Sequence, residues 1–250
     1  MKVKVLFSVL GTLLILFIVV PIFRMVIAVD PATLAKTAVE REVIGSVLLT
    51  LRASLWATLT AFFLGIPLAY VLARSHFFGK KIIEGLIDIP VIIPHTAAGI
   101  ALLMVWGRHS LFTRWTGISL VGTEAAISLA MFFVSVPFLI NSAKEAFKFI
   151  DVRFEKTAIS LGASPWKAFT SVSLPMAKKA IISGGILMWA RGISEFGAVV
   201  VLAYHPMTAS VLIFERFQNF GLKYAVPVTV LLIIISLVVF TILRILEDRQ

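Results

Sequence analysis

The chain is 250 residues long, 60% hydrophobic and only 14% charged, with a formal net charge of +10 and no cysteine. A soluble domain carries roughly a quarter charged residues, and a mean hydropathy of +1.02 leaves apolar surface that only lipid tolerates. These totals exclude a soluble fold and thiol chemistry. They also exclude nucleic-acid binding, because Lys and Arg fall between apolar runs rather than along one face.

An all-α, polytopic membrane protein with about six transmembrane helices is expected, each span needing ~20 mainly apolar residues. The first is 5–29, behind Lys2 and Lys4; its apolar run is longer than the ~7–15 residues of a signal peptide, and no small-residue cleavage site follows Pro21, so it reads as a retained helix. The second lies within 43–73, centred on 55–72. Glu40, Arg41, Glu42 and Arg52 place its start outside the hydrocarbon or leave Arg52 to snorkel. The others are 82–106, 125–142, 180–204 and 225–246. No soluble domain fits between them, so 1–250 reads as one membrane domain.

Six crossings put both termini on one side. Lys144, Lys148, Arg153, Lys156, Lys167, Lys178 and Lys179 crowd the interval between the fourth and fifth spans, and Arg74, Lys80, Lys81, Arg244 and Arg249 fall on the same side. The positive-inside rule makes that side cytoplasmic, with both termini there and the protein in the cell membrane.

The longest polar interval, DVRFEKTAISLGASPWKAFTSVSLP at 151–175, specifies a helical hairpin. Asp151 caps a first helix with apolar positions Val152, Phe154, Ala158, Ile159 and Leu161. Gly162 suits a left-handed terminator. Ser164 and Pro165 then start a second short helix carrying Trp166, Phe169 and Val172, and Leu174-Pro175 is expected to stop it. Trp166 and Phe169 either pack beneath the protein's own helix ends or present a contact for a soluble partner.

This interval resembles the EAA loop of ABC-importer permeases. Gly162, Leu174 and Pro175 match its pattern, Ala158 matches its second Ala, and Val172 stands for its Ile. Lys156 and Thr157 occupy the Glu and first Ala positions, with Glu155 one residue early. The resemblance implies a type I importer fold in which 151–175 is the cytoplasmic coupling helix that enters a cleft on a separate ATPase. Glu155, Ala158, Gly162, Ser164, Pro165, Trp166, Phe169, Leu174 and Pro175 are the implied coupling residues.

GIPLAYVLAR at 65–74, DIPVIIPHTAAGIALL at 88–103 and WARGISEFGAVVVLAYHP at 189–206 are similar to molybdate/tungstate-type permeases, relatives of the sulfate permeases. The likeness runs over about 46–244, the core of the permease domain. It implies a homodimer, two ATP-binding-cassette subunits and an extracytoplasmic oxyanion-binding protein. It also implies a pathway and gate along the third and fifth helices: Pro90, Pro94, His95, Thr96, Arg191, Ser194, Glu195, Phe196 and Gly197. No cofactor is expected on this chain; ATP and Mg belong to the partner ATPase.

The residues themselves allow such a path. Pro90 and Pro94 remove donors one turn apart and are expected to bend the third span. Arg191 and Glu195, at i and i+4, are expected to pair, either as a structural ion pair or as a gate element. Because Glu195 cancels Arg191, a naked anion site there is disfavoured, and high affinity belongs on the binding protein. His95 reads as hydrogen-bonded structure rather than a proton relay. The segment FERFQNFG at 214–221 is expected outside the membrane, touching the binding protein or forming an interfacial belt.

No GxxxxGK[ST] motif, paired catalytic carboxylates or HExxH spacing occurs, so the chain reads as a transport subunit and not an enzyme. A sulfate or thiosulfate permease is the alternative. A secondary transporter is disfavoured by the lack of internal repeats and of acids within the spans apart from Glu195.

Overall fold

The computed structural model of the chain describes residues 2–248; Arg249, counted above with the cytoplasmic charges, lies outside them. The described residues are entirely helical and connecting structure. In order they form α1 (Lys2–Ile27), α2 (Pro31–Ala38), α3 (Arg41–Arg74), α4 (Lys80–Ile92), α5 (His95–Trp106), α6 (Leu111–Thr116), α7 (Glu124–Phe149), α8 (Val152–Ser160) and α9 (Pro165–Ala168). A π-helical turn (Phe169–Ser173) follows, then α10 (Leu174–Ile193), α11 (Gly197–Leu202), α12 (Ala209–Phe220) and α13 (Leu222–Asp248).

Helix starts follow local chemistry. Asp30 accepts the Thr33 amide at 3.1 Å and Thr123 accepts that of Ala126 at 3.2 Å, each satisfying an end-of-helix donor.

α7 is the centre, with α3 and α10 packed along it. One half of the core joins Ala53 and Ala57 of α3, Ala126, Ala130 and Met131 of α7, Ala98 of α5, and Ala198 and Val199 of α11. The other joins Ala61, Ala69 and Leu72 of α3, Leu139, Ala143 and Phe147 of α7, and Ala177 and Ile181 of α10. Lipid tails are as apolar as leucine, so association rests on close packing, and small residues permit it. A Cβ on Gly184 would meet the Ser142 Cβ at 2.6 Å, and one on Gly185 would strike the Phe62 ring. The buried hydroxyls of α3 satisfy themselves: Ser46, Thr50 and Thr58 donate to the carbonyls of Val43, Ser46 and Ser54 at 2.7–2.9 Å.

Of the six expected spans, four or five are found. Among the described residues, four helices are long and apolar enough to cross a membrane: Val3–Ile27, Arg41–Arg74, Glu124–Phe149 and Leu222–Ile245. A fifth crossing exists if Lys80–Ile92 and His95–Thr116, bent by 113°, count as one broken span. The expected helix 180–204 is split, ending at Ile193 and resuming at Gly197. Three cations (Lys178, Lys179 and Arg191) lie on its 20-residue first part. The parity argument for both termini being cytoplasmic therefore loses its premise, although the chain remains a multi-pass membrane protein.

Candidate functional site

Two interrupted helices meet beside α7. α4 runs through Pro90, which is buried, and ends at Ile92. Of the two prolines expected to bend this region, only Pro94 breaks it. It lacks a donor, and it forces Ile93 out of the helical region to φ −75°, ψ 150°. α5 then begins at His95. The second interruption, Ser194 to Phe196, separates α10 from α11.

α5 and α11 touch at backbone distance because each presents a glycine. A Cβ on Gly99 would lie 2.8 Å from the Val201 Cβ and 2.9 Å from the Ala198 carbonyl oxygen. One on Gly197 would lie 2.7 Å from the His95 Cβ. Neither glycine has positive φ, so the demand for it here is steric.

At this junction the Glu195 side chain is 0% exposed. Its Oε1 accepts the Ala198 amide at 2.9 Å in the first turn of α11. Oε2 sits 3.0 Å from Arg191 Nη2 and 3.2 Å from His95 Nδ1, ion-pair distances without aligned hydrogen bonds. Arg191 Nη2 also lies 2.9 Å from Nδ1 and 2.8 Å from Nε2 of His95, and its Nη1 donates to Ser194 Oγ at 3.3 Å. One buried carboxylate thus holds a cation from α10, an imidazole from α5 and an amide of α11. Ser194, Thr96 and Pro94 are exposed beside it, while Arg191 and His95 are half-buried. Phe196 packs on Phe214 of α12 at 4.9 Å between ring centroids, and Ser210 donates to the Glu195 carbonyl at 2.8 Å.

The second region is the hairpin after α7. Asp151 accepts the Arg153 amide at 2.9 Å. The Arg153 side chain, then its amide, hold the Asp151 carboxyl below its usual range. α8 ends in a two-bond lock: Ala163 donates to the Ala158 carbonyl at 3.0 Å and Gly162 to Ile159 at 2.9 Å, with Gly162 at φ +94°. Ser164 accepts the Lys167 amide at 3.2 Å and Pro165 opens α9.

Leu174-Pro175 does not stop this second helix, contrary to expectation. The chain stays helical from Pro165 to Ile193 through the π turn. In an α-helix a proline ring clashes with the carbonyl four residues back; a wider turn just before Pro175 absorbs that clash.

α8 is inverted. Its apolar side chains Val152, Phe154 and Ile159, with Leu161 at 84% exposure, face outward, and its only buried residue is Glu155, 7% exposed. Trp166 is 72% exposed. Phe169 turns inward onto Tyr70 at 4.8 Å and Phe147 at 6.1 Å. The two aromatics left open by the sequence therefore divide: Phe169 packs and Trp166 is presented. Ala158 and Leu174 are half-buried, and Gly162, Ser164, Pro165 and Pro175 are exposed.

Glu155 accepts from Tyr70 Oη at 2.9 Å, from Arg74 Nε and Nη2 at 2.8 and 2.6 Å, and from Ser173 Oγ at 2.6 Å. Burial pushes its carboxyl up, but the bonds from Ser173, Arg74 and Tyr70 outweigh that and hold it below its ordinary value. The resemblance names Glu155 among the coupling residues, and its partners within the chain are not part of that pattern. The signal was present in Tyr70 and Arg74, polar residues one turn apart at the end of an apolar run.

Other pairs also escaped the sequence. Asp88 accepts from Asn141 at 2.7 Å and Glu84 lies 3.5 Å from Lys144, so α4 is tied to α7. Arg52 forks onto Glu124 at 2.6 and 2.5 Å instead of merely snorkelling. The FERFQNFG segment falls in α12 and the Gly221 after it. Its Arg216 bonds Glu40 at 2.5 Å and Glu42 at 2.9 Å. Burial lowers the Arg216 pKa, but those two carboxylates outweigh it and raise it above its ordinary value. Among the described residues no group of three or more His, Asp or Glu could hold a metal.

Known proteins share this architecture. The chain is 43% identical over 247 residues to the molybdate/tungstate transport system permease protein WtpB of Thermococcus kodakarensis, covering 98% of this chain and 96% of that protein. It is 36% identical over 211 residues to a probable sulfate transport system permease protein cysT of Chlorokybus atmophyticus, covering 81% and 73%. In fold it resembles a chain of a bacterial ABC transporter that imports the acidic polysaccharide alginate, with a TM-score of 0.76 at 15% identity, covering 98% of this chain and 96% of that one. Residues 61–250 match the family described as the binding-protein-dependent transport system inner membrane component, and the chain belongs to that family.

Proposed function

We propose that this chain is the permease subunit of an ATP-driven importer that carries a tetrahedral oxyanion of the molybdate/tungstate kind into the cytoplasm. The observation that carries the reading is the 43% identity to WtpB of T. kodakarensis along nearly the whole of both chains. Sulfate is the second reading, favoured by the 36% identity to cysT.

In this reading the 151–175 hairpin is the coupling element. Its support is the outward apolar set of α8, the exposed Trp166 and the locked Gly162 turn, which together make a stiff body that lipid does not cover. Closure of an ATPase dimer against it would move the attached helices as bodies. The basic residues of 144–179 support a cytoplasmic hairpin by the positive-inside rule.

The α5–α11 junction is the gate. Two helices interrupted at the same place expose backbone and hydroxyl dipoles, tolerable in a membrane only against protein or a water-filled route. Glu195 neutralises Arg191 there, so an anion passes weak donors such as Ser194 and Thr96 without being trapped. A second copy of the chain completes the route, and an extracytoplasmic binding protein supplies the affinity. The test is ATP-driven uptake into vesicles holding this chain with its ATPase and binding protein, offered molybdate, tungstate and sulfate in turn. Accumulation of molybdate or tungstate is expected; accumulation of sulfate alone selects the second reading, and none of the three refutes both.

A further inference from the structure

In the hairpin the acid nearest the Glu position of the resembled motif is internal: Glu155 is 7% exposed. α8 turns its apolar side chains out and its one carboxylate in, the reverse of a helix resting on a protein surface. A carboxylate is costly to bury unless it is paired and hydrogen-bonded, and Glu155 is bonded both to the end of α3 and to the π turn at the root of α10. Tyr70 and Arg74 belong to the last turn or so of α3, and Ser173 belongs to the π turn at the root of α10. Arg74 grips it with two nitrogens that converge on one carboxylate oxygen, Oε1, a charge-assisted contact.

Those two helices lead to the junction. α10 ends beside Arg191 and Glu195, and its Gly192 lies so close to α3 that a Cβ there would meet the Ser54 Cβ at 3.3 Å. A displacement of α8 therefore has a polar link into α3, while the π turn carries it into α10 along the chain. The GIPLAYVLAR segment gains a role from this: its Tyr70 and Arg74 are the receiving end.

We propose that Glu155 is the positioning residue through which motion of the hairpin reaches α3, while α10 follows along the continuous helix, and that it acts from inside this chain without touching the ATPase. This rests on the permease reading above. Without the carboxylate, the hairpin would still bind its ATPase through Trp166 and Leu161, but nucleotide-driven movement would be lost in a slack joint.

The chain lacks cysteine, so a single reporter can be placed. The experiment uses the full complex in vesicles, comparing wild type with Glu155→Gln, each also carrying Ala97→Cys on the exposed side of α5. It measures the ATPase retained, ATP hydrolysis, molybdate taken up per ATP, and the ATP-dependent change in maleimide labelling at position 97. For Glu155→Gln the expected result is normal ATPase retention and continuing hydrolysis, with both the uptake ratio and the labelling response down about tenfold, the scale of one lost charge-assisted bond. Tyr70→Phe and Ser173→Ala, which each remove one bond and keep the charge, should give intermediate losses, and Arg74→Lys should do better than Arg74→Ala. Wild-type coupling in Glu155→Gln overturns the proposal, as does loss of the bound ATPase from it. Should Glu155→Gln fail to fold, wild-type coupling in both Tyr70→Phe and Ser173→Ala overturns it. If the wild type accumulates no molybdate, the substrate reading fails while the labelling response still decides the role of Glu155.

Discussion

Removing Arg191 tests the junction most directly. The Glu195 carboxylate is 0% exposed and has three neighbours: Arg191 at 3.0 Å, His95 at 3.2 Å and the Ala198 amide at 2.9 Å. Arg191→Ala leaves that charge in a dry site with an imidazole and one amide. Breaking a buried pair from one side costs about 3–5 kcal/mol, and the two surviving neighbours put the expected loss near the lower end. At about 2–4 °C per kcal/mol for a chain of this size, the apparent unfolding midpoint in detergent should fall by roughly 10 °C. Glu195→Gln keeps an acceptor for the Ala198 amide and leaves only Arg191, which is partly exposed, so its cost should be about 1–2 kcal/mol. The double variant Arg191→Ala with Glu195→Gln contains no orphaned charge and should be more stable than Arg191→Ala alone. The measurement is a thermal-unfolding series on all four proteins, closing a double-mutant cycle with a coupling energy of about 1–3 kcal/mol. A double variant less stable than Arg191→Ala, with losses that simply add, would refute the paired junction.

Trp166→Glu, at a site 72% exposed, should leave membrane insertion unchanged and weaken ATPase capture about thirtyfold or more, the scale of a lost aromatic anchor; normal ATP-dependent uptake would remove the coupling role. Gly162→Pro cannot adopt φ +94° or donate to Ile159, so uptake should vanish while insertion persists, as read from uptake and membrane fractionation. Gly197→Ala brings a methyl within 2.7 Å of the His95 Cβ. The α5–α11 contact must open by roughly 1 Å to restore ordinary separation, at about 1–3 kcal/mol, and uncoupled leakage of anion through the vesicle wall should rise. Because Arg74, Tyr70 and Ser173 hold the Glu155 carboxyl below its ordinary 4.5, the stability it contributes is complete above that value and is lost as pH falls through its folded pKa. Hydrogen-exchange protection of α8 should therefore drop on acidification in the wild type, and Glu155→Gln should abolish that dependence.

Local pattern carried much of the fold. Long apolar runs announced the helices centred on α1, α3, α7 and α13, because a membrane imposes length and composition on any crossing segment. Asp151, Gly162, Ser164 and Pro165 announced the hairpin, because caps and terminators act over three or four residues. The Arg191–Glu195 pair was visible as an i, i+4 spacing, and its 3.0 Å contact survives even though the helix ends between the two residues.

What the chain alone decided is which segments enter lipid and where the backbone must turn, since both depend on neighbours in sequence. Tertiary structure decided whether a turn becomes a break. Pro90 stays in its helix and Pro94 does not, and the expected helix 180–204 divides where Gly197 must press against His95. It also decided the facing of Glu155, whose partners Tyr70 and Arg74 lie 85 and 81 residues away. No local rule turns a carboxylate inward and its apolar neighbours outward; only a guanidinium brought in from another helix makes that orientation favourable.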